Sequence, residues 1–183
     1  MKRLENEKIK LYIATSFDGY IARPDGDLDW LTKAPNPEGE DFGYNTFLES
    51  VDTTLMENDT YKWLLNQGVE DPYPGLKNYV FTRNKKESTG FVEFVNDDSA
   101  HFAKKIREGD GKDIFLVGGG SIISPVLTAG LIDEIHLTIV PVFLGRGIPL
   151  FPTQVSDINI LFSTIEVFKH SNGFISIKME KEV

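Results

Sequence analysis

The sequence predicts an α/β fold: a mainly parallel sheet with helices on both faces and an antiparallel hairpin at one edge. Three observations carry this. Short β-prone runs alternate with helical patterns along most of the chain, which is how parallel strands with crossover helices read. The run Ile114-Phe115-Leu116-Val117 is continuously apolar, as a central strand covered on both faces must be. Near the C-terminus, Leu161 to Lys169 and Gly173 to Glu180 alternate apolar and polar residues around Asn172-Gly173, a hairpin signal.

Taken in order, Lys10 to Ser16 (KLYIATS) reads as the first strand, followed by a long polar loop punctuated by Asp18-Gly19, Asp25-Gly26, Pro35, Pro37 and Gly39. Tyr44, Phe47, Leu48 and Val51 fall on one face of a short helix. Thr53 to Met56 is a second strand, and Asn58 or Asp59 caps a helix through Tyr61, Trp63, Leu64 and Leu65 that Gly68 ends. Pro72 and Pro74 mark a loop; Asn78 to Thr82 and Phe91 to Val95 are strands. Asp98 or Ser99 opens a helix with Phe102 and Ile106 inward, stopped by Gly109. After the apolar run come Gly118-Gly119-Gly120 and another helix. It starts either near Gly120, with a kink at Pro125, or at Pro125 with Ser124 as its cap, and Gly130 ends it in both cases. A strand running to Val140 and Pro141 follows, then the hairpin. No repeat, low-complexity stretch or linker interrupts residues 1–183, which read as one domain.

Composition excludes several classes of function. The chain has no cysteine, so disulfides, thiolate catalysis and cysteine metal sites are ruled out. His101, His136 and His170 are dispersed without ligand spacing, and no metal is expected. A net charge of −9 argues against nucleic acid as a partner, since that binding needs a basic face. No apolar run is long enough to span a bilayer, and the N-terminal MKRLENEKIK lacks the apolar core of a secretory signal; the expectation is a cytoplasmic protein with no membrane partner.

The chemistry is concentrated at the three glycines. Each costs roughly 0.5 to 1 kcal/mol relative to alanine, a cost expected where the backbone needs positive φ or is approached closely. A helix follows directly, and its unpaired N–H groups and positive dipole end suit a phosphate. The spacing is not the dinucleotide fingerprint of a Rossmann first turn, because Ile123 stands where its third glycine would be. No G-x-S-x-G elbow or phosphate-binding G-x-x-x-x-G-K-[ST] loop is present. A nucleotide cradle with few acid–base groups around it suits hydride transfer, where the cofactor carries the chemistry. Asp18, Asp25, Asp27 and Asp29 in the first loop read mainly as turn residues, one of which would position a proton or a substrate nitrogen.

Ala14-x-Ser16-x-Asp18-Gly19-x-Ile21-Ala22, Gly26 to Leu31 (GDLDWL), Tyr79 to Arg83 (YVFTR), Asp113 to Gly120 (DIFLVGGG), Gly130 to Pro141 (GLIDEIHLTIVP) and Gly145 to Phe151 (GRGIPLF) together resemble the dihydrofolate reductase-like family. The branch they resemble is the C-terminal reductase domain of the bifunctional riboflavin biosynthesis protein, of which the pyrimidine reductase is the type. The resemblance implies a sheet of about eight strands, a homodimer, NADPH as cofactor and a small heterocyclic or carbonyl substrate. It also implies roles for residues. Gly118, Gly119, Gly120 and Ser121 would hold the pyrophosphate, joined by Thr60; Thr82 and Arg83 would approach the adenosine 2′-phosphate; Ala14, Asp18, Tyr20 and Trp30 would border the nicotinamide and substrate. Trp30 reads equally well as a core anchor. Where relatives read Met-Gly-Arg-x-Thr-Tyr, this chain reads Met56-Glu57-Asn58-Asp59-Thr60-Tyr61, setting two carboxylates beside the expected phosphates. Like charges that close oppose each other by roughly 1 to 4 kcal/mol. Two further readings follow: a pocket-bearing binding protein that has lost productive NADPH binding, and a nucleotide-binding module without redox chemistry.

Overall fold

The computed structural model describes residues 6–151 and 158–182. Its elements in order are β1 (Ile9–Ser16), β2 (Tyr20–Ala22), α1 (Asp29–Thr32), α2 (Tyr44–Glu49), β3 (Val51–Glu57), α3 (Asn58–Asn66), β4 (Lys77–Phe81), β5 (Glu93–Val95), α4 (Ser99–Ile106), β6 (Asp113–Gly118), α5 (Gly120–Thr128), β7 (Glu134–Val140), β8 (Ile148–Pro149), β9 (Phe162–Lys169) and β10 (Ile175–Lys181). Eight strands form one sheet in the order β5-β4-β3-β6-β1-β7-β10-β9, and β2 pairs with β8 in a small second sheet. The six strands from β5 to β7 are mutually parallel, while β10 is antiparallel to both β7 and β9.

The alternation of side chains along β6 divides the core. Ile114 and Leu116 point into a cluster with Ile122, Ile123 and Val126 of α5 and Ala103 of α4, whereas Phe115 points the other way, against Phe47 of α2. Helices α4 and α5 therefore cover one face. Helix α2 covers the opposite face, with α3 beside it through Tyr61 packed on Met56 and Val80. All of these named core residues are buried, so both faces of the central strands are sealed.

Several boundaries differ from the sequence reading, each for a local reason. Val51 continues the apolar face of α2 in spacing, yet it opens β3 instead, because Ser50 closes the helix and Val51 packs beneath Phe47. Strand β3 runs on to Glu57, which itself stands at the N-cap of α3 in extended conformation, displacing Asn58 and Asp59 from that role. Asp98, not Ser99, caps α4: its carboxylate accepts the His101 N–H at 2.8 Å. Helix α5 takes the earlier of its two possible starts and keeps Pro125 inside. The carbonyl that proline leaves without a partner belongs to Ser121, which is exposed, so water can satisfy it. In the hairpin, Gly173 has φ +87° and its N–H donates to the His170 carbonyl at 3.0 Å. The extra turn residue moves the start of β10 to Ile175. Strands β2 and β8 and helix α1 were not expected; each is two to four residues long.

Candidate functional site

The carboxyl ends of β3, β4, β5 and β6 open onto one cleft of about 800 Å³. Its walls are the first turn of α3, the segment from Phe81 to Asn84, the segment from Asn96 to Ser99, and the first turns of α5. Ligands in open α/β sheets occupy this edge, because helix N-termini and strand ends converge there.

Gly118, the last residue of β6, has φ +116°, a conformation L side chains rarely adopt, and it turns the chain into α5. The peptide between Gly118 and Gly119 is cis. Gly119 is the N-cap of α5 and makes no side-chain cap, so the first backbone N–H groups of the helix face outward. Thr60 and Glu57 converge on it. A Cβ added at Gly119 would lie 3.9 Å from Thr60 Oγ1 and 2.6 Å from Glu57 Oε2. Gly120 is buried, and Ser121 is exposed on the cleft.

The opposite rim is held by hydrogen bonds the sequence did not disclose. Asn96 Nδ2 donates to the carbonyls of Thr82 (2.8 Å) and Arg83 (2.7 Å), fixing the backbone from which Arg83 projects. Thr82 N–H donates to the Val95 carbonyl at 2.9 Å, tying the same segment to the end of β5. Lys86 Nζ donates to Asn58 Oδ1 at 2.9 Å, so the loop after β4 reaches the first turn of α3. Lys62 pairs with Asp59 at 2.7 Å. The rule that ligands gather at the carboxyl ends of parallel strands covers the loop after Val95; applied to the sequence there, it would have found Asn96.

Ala14, Asp18, Tyr20 and Trp30 do not line this cleft. They gather at the ends of β1 and β7. Ala14 is half-buried and in register with Thr138 of β7. Tyr20 pairs with Pro149, and β8 approaches so closely that a Cβ on Gly147 would lie 2.3 Å from the Ala22 carbonyl oxygen. Asp18 accepts hydrogen bonds from Ser16 Oγ (2.7 Å), Leu144 N–H (3.1 Å) and Gly145 N–H (2.7 Å). Partial desolvation opposes its charge, but these donors outweigh it and hold the carboxyl below the usual range. An aspartate so held stays ionised and clamps the loop after β7 to the turn after β1. Trp30 is buried against Val140 and Phe174, and its indole N–H has no partner among the described residues.

Two further polar networks stand outside the cleft. Glu134 meets His136, Lys10 (3.9 Å) and Lys178 (3.6 Å), and Lys10 also pairs with Asp113 at 2.8 Å. Burial opposes the charge of Glu134, but the His136 contact and the two lysines lower its pKa to about 2. Glu40 meets His170 at 2.5 Å, and His170 meets Ser176 at 2.8 Å, joining the loop before α2 to the hairpin. Bonds from His170 and then Ser171 hold the Glu40 carboxyl below its ordinary value. Among the described residues no group of His, Asp and Glu is arranged to hold a metal, and no helix is long and apolar enough to cross a membrane.

A parallel sheet widened by an antiparallel pair, with a glycine turn delivering one helix N-terminus to a cleft at the strand ends, is the dihydrofolate reductase-like fold. Dihydrofolate reductase from Enterococcus faecalis, solved as a complex with NADP(H), superposes with a TM-score of 0.65 over 96% of this chain and 97% of its own, at 13% identity, a likeness of fold alone. Within that class, residues 7–174 match the model of the RibD C-terminal domain, and the chain belongs to that family. The uncharacterised protein YwjB of Bacillus subtilis is 37% identical over 146 residues, spanning 79% of this chain and 82% of YwjB. A putative riboflavin biosynthesis protein from Shewanella sp. PV-4 has a TM-score of 0.85 at 27% identity, covering 96% of this chain and 99% of that one. Family and fold are those of reductases.

Proposed function

We propose that the protein is an NADPH-dependent reductase of a small heterocyclic or carbonyl substrate, similar to the pyrimidine reductase of riboflavin biosynthesis, and that it works in the cytoplasm. The observation that carries the reading is the Gly118–Gly120 turn. It delivers the first turns of α5, through Ser121, Ile122 and Pro125, to a cleft whose far rim holds Arg83, with Glu57 of the cleft wall lying against Gly119. The residues present fit the cofactor. Gly119, Gly120, Ser121 and Thr60 would hold the pyrophosphate, and Thr82 and Arg83 the adenosine 2′-phosphate. When bound, NADPH supplies the hydride. The chain's own part is orientation. Asn96 fixes the Arg83 backbone, Asp18 clamps the loop after β7, and Trp30 with Val140 and Phe174 forms a dry wall beside the end of β1. Burial, and then the charge of Asp41, push the Tyr12 hydroxyl up to about 12. With its bond to the Phe42 carbonyl (3.0 Å), it is a donor and not a base.

A homodimer belongs to the same proposal. The outermost strand, β9, leaves Ile165, Val167 and Phe168 exposed on a sheet edge, an arrangement a second copy would cover. Size-exclusion chromatography with light scattering checks the dimer. Titration of intrinsic fluorescence with NADPH and NADH tests the function: saturable binding that favours NADPH, lost in folded Gly119→Val, is the expected result. No binding at millimolar cofactor would refute the reading.

A further inference from the structure

Among the described residues, the atom nearest a Cβ built on Gly119 belongs to the carboxylate of Glu57. The position a side chain on residue 119 would take is already filled by Glu57 Oε2, 2.6 Å from that point. Glu57 stands at the N-cap of α3, yet it makes no capping bond to its own helix. Two lysines near the first turn of α3 are engaged elsewhere: Lys62 with Asp59, and Lys86 with Asn58. Its carboxylate thus rests beside the N-terminus of α5, while the N–H groups opening α3 have no side-chain cap from it.

We propose that Glu57 is a resident anion in the pyrophosphate cradle, which a dinucleotide must displace, and that it holds cofactor affinity below what the glycine turn would otherwise give. This rests on the reading that the cleft takes a dinucleotide. A carboxylate and a pyrophosphate cannot share the space over Gly119, both by volume and by charge. Displacement has a destination, because rotation about the Glu57 side chain carries the carboxylate from the N-terminus of α5 to that of α3, both nine-residue helices that open on the same cleft. The charge moves from one set of free N–H groups to another without crossing an apolar region. The contact selects among ligands. A molecule with a pyrophosphate must move Glu57, whereas adenosine 2′-phosphate, which has none, can occupy the Arg83 end and leave Glu57 in place.

Isothermal titration of the full chain with NADPH, ADP-ribose and adenosine 2′-phosphate, repeated on Glu57→Gln and Glu57→Asp, tests this. Glu57→Gln should tighten ADP-ribose and NADPH by at least about fivefold, the equivalent of one unit charge removed at close range in a solvated cleft. The gain should shrink as salt rises. Glu57→Asp keeps the charge but shortens the reach to Gly119, and should also tighten both. Adenosine 2′-phosphate should bind all three proteins alike. If the wild type binds NADPH and neither variant binds it more tightly, or if adenosine 2′-phosphate gains equally, Glu57 is not the resident anion, and the reductase reading stands without it. If none of the three ligands binds wild type or variants, the nucleotide site itself is refuted, and this inference with it.

Discussion

Glu134 and Glu57 lie in the same sheet and carry the same charge, but their surroundings are opposite. Glu134, on the face of β7, is buried among His136, Lys10 and Lys178, and Lys10 is paired onward to Asp113. Glu57, at the end of β3, faces a cleft, lies against Gly119, and forms no ion pair among the described residues. The first arrangement is closed: Glu134 is answered within the fold, and its contacts tie β1, β7 and β10 together. The second is open, and an unanswered charge at a strand end is where a ligand enters the balance. On the proposed reading, pairing more than burial separates an acid that holds strands together from one that meets a ligand.

The largest effect that would break this contrast is on stability. Glu134→Gln should cost about 3 kcal/mol in urea unfolding, the low end for breaking a buried pair, because Lys10 keeps Asp113. NADPH binding should be unchanged. The pH dependence has a fixed sign. The pKa of Glu134 falls from 4.5 to about 2 on folding, so its stabilisation is complete above pH 4.5 and is lost as pH falls toward 2. The variant should therefore lose less stability than the wild type across that acid window; equal losses would mean the cluster is not closed.

In the cleft the order reverses, with binding affected and stability spared. Arg83→Ala should weaken NADPH by about 1.5 to 3 kcal/mol and NADH far less, since only the former carries the 2′-phosphate. Parallel titrations decide, and equal losses remove Arg83 from the site. Removing the bracket behind it is a smaller change. Asn96→Ala frees two carbonyls that water can reach, and should lower NADPH affinity by about 1 kcal/mol through a looser Arg83, with NADH affected much less. The smallest effect belongs to an exposed pair. Asp59→Asn breaks the bond to Lys62 and should shift stability by less than about 0.5 kcal/mol, which chemical denaturation can bound.

What the sequence disclosed tracks how many residues each signal spans. Strand β1, the β6–glycine–α5 unit, β7 and helix α4 were legible because apolar runs and caps repeat over six or more residues. Strands β2 and β8 and helix α1 were not, since two to four residues cannot display a period, and β2 is held by a partner more than a hundred positions away. Val51 shows the limit from the other side: its spacing fits a helix face and its burial fits a strand, and only the packing of Phe47 decides. In the site, the glycine run was legible as a turn into a helix, while the roles of Ser121, Thr60, Thr82 and Arg83 came from the family resemblance; Ser121, Thr82 and Arg83 line the cleft, and Thr60 and Gly119 lie beside Glu57 on its wall. Asn96 was missed because Asn96-Asp97-Asp98 reads as ordinary helix-capping sequence, and Asp98 indeed caps α4. The direction of the Glu57 side chain is written in no pattern, because it depends on the absence of a side chain at Gly119, in the turn between β6 and α5.

The place of β6 has a consequence for how the chain is made. Strand β1 emerges first from the ribosome, but its two neighbours in the sheet are β6 and β7, encoded after residue 112. Until those segments are synthesised, an apolar strand with every ladder group unpaired must wait, while β3, β4 and β5 can already align with one another. Strand β6 lies between β1 and β3 and so joins the two parts, with the glycine turn at its end. Chains stopped short of Gly118 therefore lack both the strand that joins β3 to β1 and the glycine turn that opens α5.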